Sequence, residues 1–146
     1  MKPSFSIRAA HEADHPFIDA FTYAEGMDRI PSLDEVFVAV DAEDDPIGFI
    51  RISHGASGAA YVNPVVTNEL WRGRGIGRAL MRFALRKYKA LKLVSRGSSV
   101  GFYRALGFEE CAWEDIEENV SEDCAHCSWR DECKPLPMRG HASTLV

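Results

Sequence analysis

Apolar and polar positions change period several times along the chain, and each change marks an element. Phe5, Ile7 and Ala9 alternate with Ser4, Ser6 and Arg8, the period of two that a half-buried strand requires. Asp14 followed by Pro16 reads as a helix start, and Phe17, Ile18 and Phe21 supply an apolar face. The less regular stretch up to Pro31 predicts two short helices there. Glu35–Asp41 and Ile47–Ser53 read as strands, and the intervening AEDDP, acidic turn formers with a proline, makes them an antiparallel hairpin. After the turn HGASG, Ala60–Val66 forms a fourth strand. Pro64 cannot donate to a ladder, so this strand is expected to bulge or to lose pairing near its end.

From Ile76 to about Lys89 the period lengthens. Ile76, Ala79, Leu80, Phe83 and Ala84 share one helix face, while Arg78, Arg82 and Arg86 recur on another. Leu91–Ser95 is a short strand, Ser98–Leu106 a short helix, and Gly107 ends it, because glycine takes the left-handed cap conformation without strain. Another strand begins around Phe108. The last, Lys134–Arg139, holds Pro135 and Pro137 and is expected at a sheet edge or only partly paired. A mixed sheet with helices on both faces follows from this order, in one domain over 1–146.

Composition narrows the class. With 146 residues, 46% of them apolar and 27% charged, the chain can build a core without obligatory disulfides or metals. Apolar runs such as Val36–Val40 are far shorter than the roughly 20 residues that span a bilayer, so no membrane segment is expected. MKPSFSIRAA lacks the apolar stretch of an export signal, which predicts a cytoplasmic protein. The formal charge of −5 is divided unevenly: ten Lys and Arg and no acid from Leu70 to Phe108, then ten acids and one base, Arg130, over Glu109–Glu132. The first segment attracts anions and the second attracts cations.

Glycines sharpen the basic segment. Arg72-Gly73-Arg74-Gly75-Ile76-Gly77 joins the fourth strand to the long helix, and its glycines remove the Cβ atoms that would hold a ligand away from backbone N–H groups. A helix N-terminus with unpaired donors is an anion site, and phosphate is the obvious guest. Two nucleotide motifs fail here. The Gly-Lys-Ser/Thr of a P-loop is absent, and a dinucleotide fingerprint meets Arg78 or Leu80 where its last glycine belongs. About 30 residues on, one helix and one strand later, lies Phe102-Tyr103-Arg104-Ala105-Leu106-Gly107-Phe108.

With both motifs the chain resembles the GNAT superfamily of acyl-CoA-dependent N-acetyltransferases. Arg72, Gly75 and Gly77 satisfy that family's pyrophosphate-loop pattern, and Phe102, Tyr103 and Leu106-Gly107-Phe108 match its later signature of an aromatic pair followed by Leu-Gly-Phe. The resemblance implies the GNAT fold, α/β (α+β) with a mixed, mostly antiparallel sheet. It implies that the backbone from Arg72 through Gly73, Arg74, Gly75 and Ile76 to Gly77 holds the coenzyme A pyrophosphate, with charge from Arg72, Arg74 and Arg78. It also implies that N–H groups near Val65 and Val66 polarise the thioester carbonyl of acetyl-CoA, that Pro64 fits a splay between the fourth and fifth strands, and that Tyr103 returns a proton to the departing thiolate. Two positions depart from the pattern. No acid lies in Ala60–Val66, where some members carry a base near the position of Tyr61, and Arg96 replaces an asparagine.

The implied reaction is direct transfer of acetyl to a primary amine, on a cationic small molecule or a protein. A non-catalytic CoA-binding or metal- or redox-sensing module is the alternative. Nucleic acid is not expected as a partner, because the basic segment is committed to the loop and its helix. The oligomeric state is left open, a homodimer included. Cys124-x-x-Cys127 with Cys133 resembles half of a metal knuckle, and zinc, an iron–sulfur cluster, free thiols and a disulfide all stay open. The acids Glu114, Asp115, Glu117, Glu118, Glu122 and Asp123 either concentrate a cationic acceptor or solvate an exposed arm over about 109–133.

Overall fold

The computed structural model describes residues 4–117 and 133–144. Its strands are β1 (Ser6–Ala9), β2 (Val36–Val40), β3 (Pro46–His54), β4 (Ala60–Thr67), β5 (Ala90–Ser95), β6 (Glu109–Glu110) and β7 (Leu136–His141). They form one seven-stranded sheet in the order β1-β2-β3-β4-β5-β7-β6. The helices are α1 (His15–Ala24), α2 (Ile76–Tyr88) and α3 (Val100–Ala105). Among the described residues no helix is long and apolar enough to cross a membrane. Contacts gather the backbone into two compact units, Met1–Ile52 with Asn63–Phe83, and Ser53–Val62 with Ala84–Val146.

In the first unit β1 pairs antiparallel with β2, Ser6 opposite Val40, and β2 pairs antiparallel with β3, Val36 opposite Arg51. All five residues of β2 are buried, which explains its unbroken apolar run. The β2–β3 turn is tied by Asp41, whose Oδ1 accepts the N–H groups of Glu43 at 2.9 Å and Asp45 at 3.0 Å. Ile18 and Phe21 of α1 pack with Val36, Val38, Val40, Phe49 and Val66.

Among the described residues α1 is the one α-helix before β2; a 3-10 turn, Glu12–Asp14, leads into it, and no second helix follows it before Pro31. Gly26, at φ 66°, closes α1: the Met27 N–H reaches the Thr22 carbonyl at 2.9 Å and the Gly26 N–H reaches that of Tyr23 at 3.0 Å. Met27, Ile30 and Leu33 beyond it recur every three residues and imitate a helix face, but they pack on the core from irregular backbone.

In the second unit β5 pairs antiparallel with β7 along its whole length, Ala90 opposite His141 through Ser95 opposite Leu136. Of the two expectations for Lys134–Arg139, the edge position is overturned, because β7 lies between β5 and the two-residue β6, whereas partial pairing holds on the β6 side, where only Met138 and Arg139 are matched. The N–H and C=O of one residue in a strand point the same way. The Pro137 carbonyl accepts the Cys111 N–H at 3.0 Å, so its imino nitrogen also faces that side, beyond the β6 pairing, and the β5 ladder loses no donor. β4 meets β5 in parallel with Tyr61 opposite Lys92, ahead of the cis Asn63–Pro64 peptide. Tyr61, Cys111 and Ile116 form one buried cluster in this unit, with Ala59 and Val94 against it.

Candidate functional site

The glycine loop leaves β4 through a single turn of 3-10 helix, Glu69–Trp71, capped by Asn68, whose Oδ1 accepts the Leu70 N–H at 3.0 Å. Gly73 and Gly75 then take φ values of 79° and 82°, a left-handed conformation that other residues adopt only with strain. The Gly75 carbonyl accepts the Ala79 N–H at 3.0 Å and so makes the first bond of α2. Ile76, Gly77 and Arg78 accordingly occupy the first turn, where N–H groups have no acceptor within the helix, and no acid lies in that turn to occupy them. Among the described residues, chain neighbours aside, a Cβ at Gly73 or Gly75 would meet no atom within 4 Å. Open space, free donors and the positive end of a 13-residue helix coincide, which suits a pyrophosphate.

The loop is held from behind. Ile76 is 1% exposed and Val66 is 5% exposed, while Val65 beside it is half-buried. A methyl on Gly48 of β3 would lie 2.9 Å from the Val66 carbonyl oxygen and 3.2 Å from Ile76 Cγ2. Only glycine at 48 lets β3 lie this close to both. The three arginines differ in their engagement. Arg72 is ion-paired with Glu25, at the end of α1. The Arg74 guanidinium stacks 4.9 Å from the Trp71 ring centroid. Arg78 is exposed and has no carboxylate partner among the described residues.

Tyr103 belongs to the second unit, in the six-residue α3. Its ring is 9% exposed and packs against Phe102, centroids 5.1 Å apart, and Phe108, 5.9 Å apart. Burial pushes its phenol up to about 12, against the opposing charge of Arg96, so the hydroxyl keeps its proton throughout the neutral range. The Leu106-Gly107-Phe108 signature is the helix stop. Gly107, at φ 95°, donates to the Arg104 carbonyl at 3.0 Å, and the Phe108 N–H reaches that of Tyr103 at 3.1 Å. Phe108 fits because position 140 on β7 is glycine: a methyl there would lie 2.7 Å from the Phe108 ring.

A family model described as an acetyltransferase (GNAT) domain matches residues 32–110, more than half of the chain. The chain belongs to the GNAT acetyltransferase family. Among relatives of this GNAT chain, a peptidyl-lysine N-acetyltransferase of Escherichia coli strain K12, YjaB, is 31% identical over 73% of this chain and 74% of its own length. A second from the same strain, the peptidyl-lysine N-acetyltransferase YiaC, is 34% identical over 69% and 72%. In fold the chain is similar to N-acetylglutamate synthase from Neisseria gonorrhoeae, solved with coenzyme A and N-acetyl-glutamate. The TM-score is 0.77 at 16% identity, over 97% of this chain and 36% of that longer one. By family the protein is an acyl-CoA-dependent N-acyltransferase.

Several features of this GNAT chain have no signature in the sequence. Gly48 and Gly140 matter through contacts with residues distant along the chain. Glu117 is another such case: its Oε1 accepts the Ser57 N–H at 2.6 Å, and its own N–H donates to the Tyr61 hydroxyl at 3.0 Å. Asp115 binds the Ala112 N–H at 3.0 Å through Oδ2 and accepts Lys92 Nζ at 2.8 Å through its carbonyl. Asp115 and Glu117 thus tie local backbone, while Glu114 is exposed. Of the suggested metal ligands, Cys124 and Cys127 lie outside the described residues, as do Glu118, Glu122 and Asp123. Cys133 is half-buried, and burial pushes the Cys111 thiol up within its apolar cluster.

Proposed function

We propose that this acetyltransferase moves the acetyl group of acetyl-CoA to the ε-amino group of lysine in a peptide or protein. The observation that carries the cofactor reading is the loop: two left-handed glycines facing open space at the start of α2. Two relatives at 31% and 34% identity, both named for peptidyl-lysine, support the acceptor. Backbone N–H groups from Arg72 to Gly77 would bind the pyrophosphate, and those near Val65 and Val66 would polarise the thioester carbonyl. The neutral amine attacks that carbonyl, the adduct gives its nitrogen proton to water, and as the carbon–sulfur bond breaks the Tyr103 hydroxyl hands its proton to the departing thiolate and regains one from solvent. A phenol held well above its ordinary range by burial is still protonated when this step needs it.

The test is CoA release from acetyl-CoA with lysyl peptides, small-molecule amines and amine-free controls, with mass spectrometry of the peptides. Mass gain of one acetyl on lysine, at a kcat/KM above that for the small amines, is expected. Efficient acetylation of small amines with no peptide product would refute the acceptor. No CoA release with any amine, together with no binding of CoA, would refute the loop assignment.

A further inference from the structure

Glu25 is a poor choice for its position considered alone. It caps the C-terminus of α1, where its N–H reaches the carbonyls of Phe21 and Thr22, and a carboxylate there faces the negative end of the helix dipole. One positive charge paired with it is Arg72, which begins the glycine loop. In the chain Arg72 immediately precedes Gly73, whose left-handed turn opens the space before the first N–H groups of α2. Arg72 therefore has two candidate anions: the carboxylate it now holds, and the pyrophosphate at the head of α2.

The balance between them can be judged. An ion pair whose side chains are 55% and 24% exposed is weak, because water screens it. A pyrophosphate offers more charge, and the N–H groups and helix dipole fix it in place, so a guanidinium, whose fork suits bidentate bonds, gains charge-assisted hydrogen bonds there. We propose that Glu25 is a resident counter-ion that Arg72 exchanges for the cofactor's pyrophosphate. Binding of the acyl donor is thereby coupled to release of the end of α1 from the loop. Glu25 is in this sense a competitor: it holds Arg72 in an ion pair before the cofactor arrives, and the cofactor must displace it. The inference rests on the cofactor reading above and adds to it a competing group within the chain.

The experiment is a double-mutant cycle on CoA affinity, measured by calorimetry at low ionic strength with Glu25→Gln, Arg72→Gln and the pair combined. Thermal unfolding of each variant without CoA verifies that it is folded. Removing a competitor of this strength should tighten CoA binding by about two- to fivefold in Glu25→Gln. Arg72→Gln should weaken binding, and in that background Glu25→Gln should have no further effect. The gain should also shrink as salt is raised, since screening already weakens the competitor. Unchanged or weaker CoA binding by folded Glu25→Gln would overturn the exchange, as would an equal gain in the Arg72→Gln background, which would mean a general field effect. Failure of the unaltered protein to bind CoA would instead remove the cofactor reading and the exchange together.

Discussion

Gly48 and Gly75 serve the same loop for opposite reasons, and alanine at each position separates them. At Gly75 the obstacle is conformational. With φ at 82°, alanine would incur the left-handed cost of about 1–2 kcal/mol, yet among the described residues, chain neighbours aside, its methyl meets no atom within 4 Å, so no packing cost is added. At Gly48 the obstacle is contact. The methyl would lie 2.9 Å from the Val66 carbonyl oxygen, 3.2 Å from Ile76 Cγ2 and 3.4 Å from Thr67 Cα. Two of these atoms are backbone of β4, so overpacking should cost about 1–3 kcal/mol. For a chain of this length each variant should lose about 3–10 °C in Tm. Stability alone therefore does not distinguish them, but the ligand does. Gly75→Ala puts its methyl into the space before the first N–H groups of α2 and should weaken CoA at least about tenfold, the loss of one hydrogen bond to a charged group. Urea unfolding gives the stability and calorimetry the affinity. Unchanged CoA affinity in a folded Gly75→Ala variant would refute the assignment of that space. A loss above about 4 kcal/mol in the same variant would show that the space is filled by protein.

Tyr103→Phe should lower turnover by about 10²–10⁴ with CoA affinity retained, because only the departing thiolate uses the hydroxyl; near-normal turnover with chemistry rate-limiting would remove Tyr103 from the reaction. The same phenol makes a pH prediction. Its folded value of about 12 exceeds the unfolded value near 10, so its stabilising contribution is complete below pH 10 and falls as pH rises toward 12. Unaltered protein should lose about 1 kcal/mol more than Tyr103→Phe between pH 10 and 11 in urea melts, and parallel curves would contradict that. At the acid end, burial alone would lift the Asp14 carboxyl, but two Arg8 N–H bonds at 2.7 and 3.0 Å, the His11 N–H at 2.9 Å and the Arg8 charge outweigh it and hold it low. This contribution is present above about pH 4 and lost as pH falls through the folded value. Arg8→Ala should cost about 3 kcal/mol at pH 7, by leaving a carboxylate buried without its partner, and progressively less as pH falls through the folded value.

What the sequence made legible was local. The glycine loop, the long helix after it and the stop at Gly107 each depend on a few adjacent residues, and each stands where the pattern of Arg72–Gly77 and Leu106–Phe108 predicts. The β2–β3 hairpin was equally readable, since Asp41 ties its own turn. Misreadings arose where a local rule met a distant partner. Pro137 is harmful to a strand only on the side that needs its donor, and which side that is depends on Cys111, far along the chain in sequence. Met27, Ile30 and Leu33 keep a helical spacing although Gly26 has already closed α1. The Glu25–Arg72 pair joins positions 47 residues apart and leaves no trace in periodicity or charge runs.

The glycines show why part of the site escaped that reading. Gly73, Gly75 and Gly107 are needed for their own φ values, and a turn between a strand and a helix, or at a helix end, announces such a need. Gly48 and Gly140 sit inside strands at ordinary φ, where glycine would usually signal only a weaker strand. Their function is to leave room. In the first unit Gly48 admits Ile76, the residue that starts α2; in the second, Gly140 admits Phe108, the ring behind Tyr103. The loop and the tyrosine are each fixed by a buried apolar side chain whose own place depends on a missing Cβ one strand away. Gly140→Ala therefore tests whether packing alone governs Tyr103. The methyl must displace a Phe108 ring that is 4% exposed and in contact with the tyrosine. Turnover should fall with little change in CoA affinity, as for Tyr103→Phe, although no reacting group has been removed. Full turnover in a folded Gly140→Ala variant would mean that Phe108 can move without shifting Tyr103, and that the ring contact does not hold the hydroxyl in place.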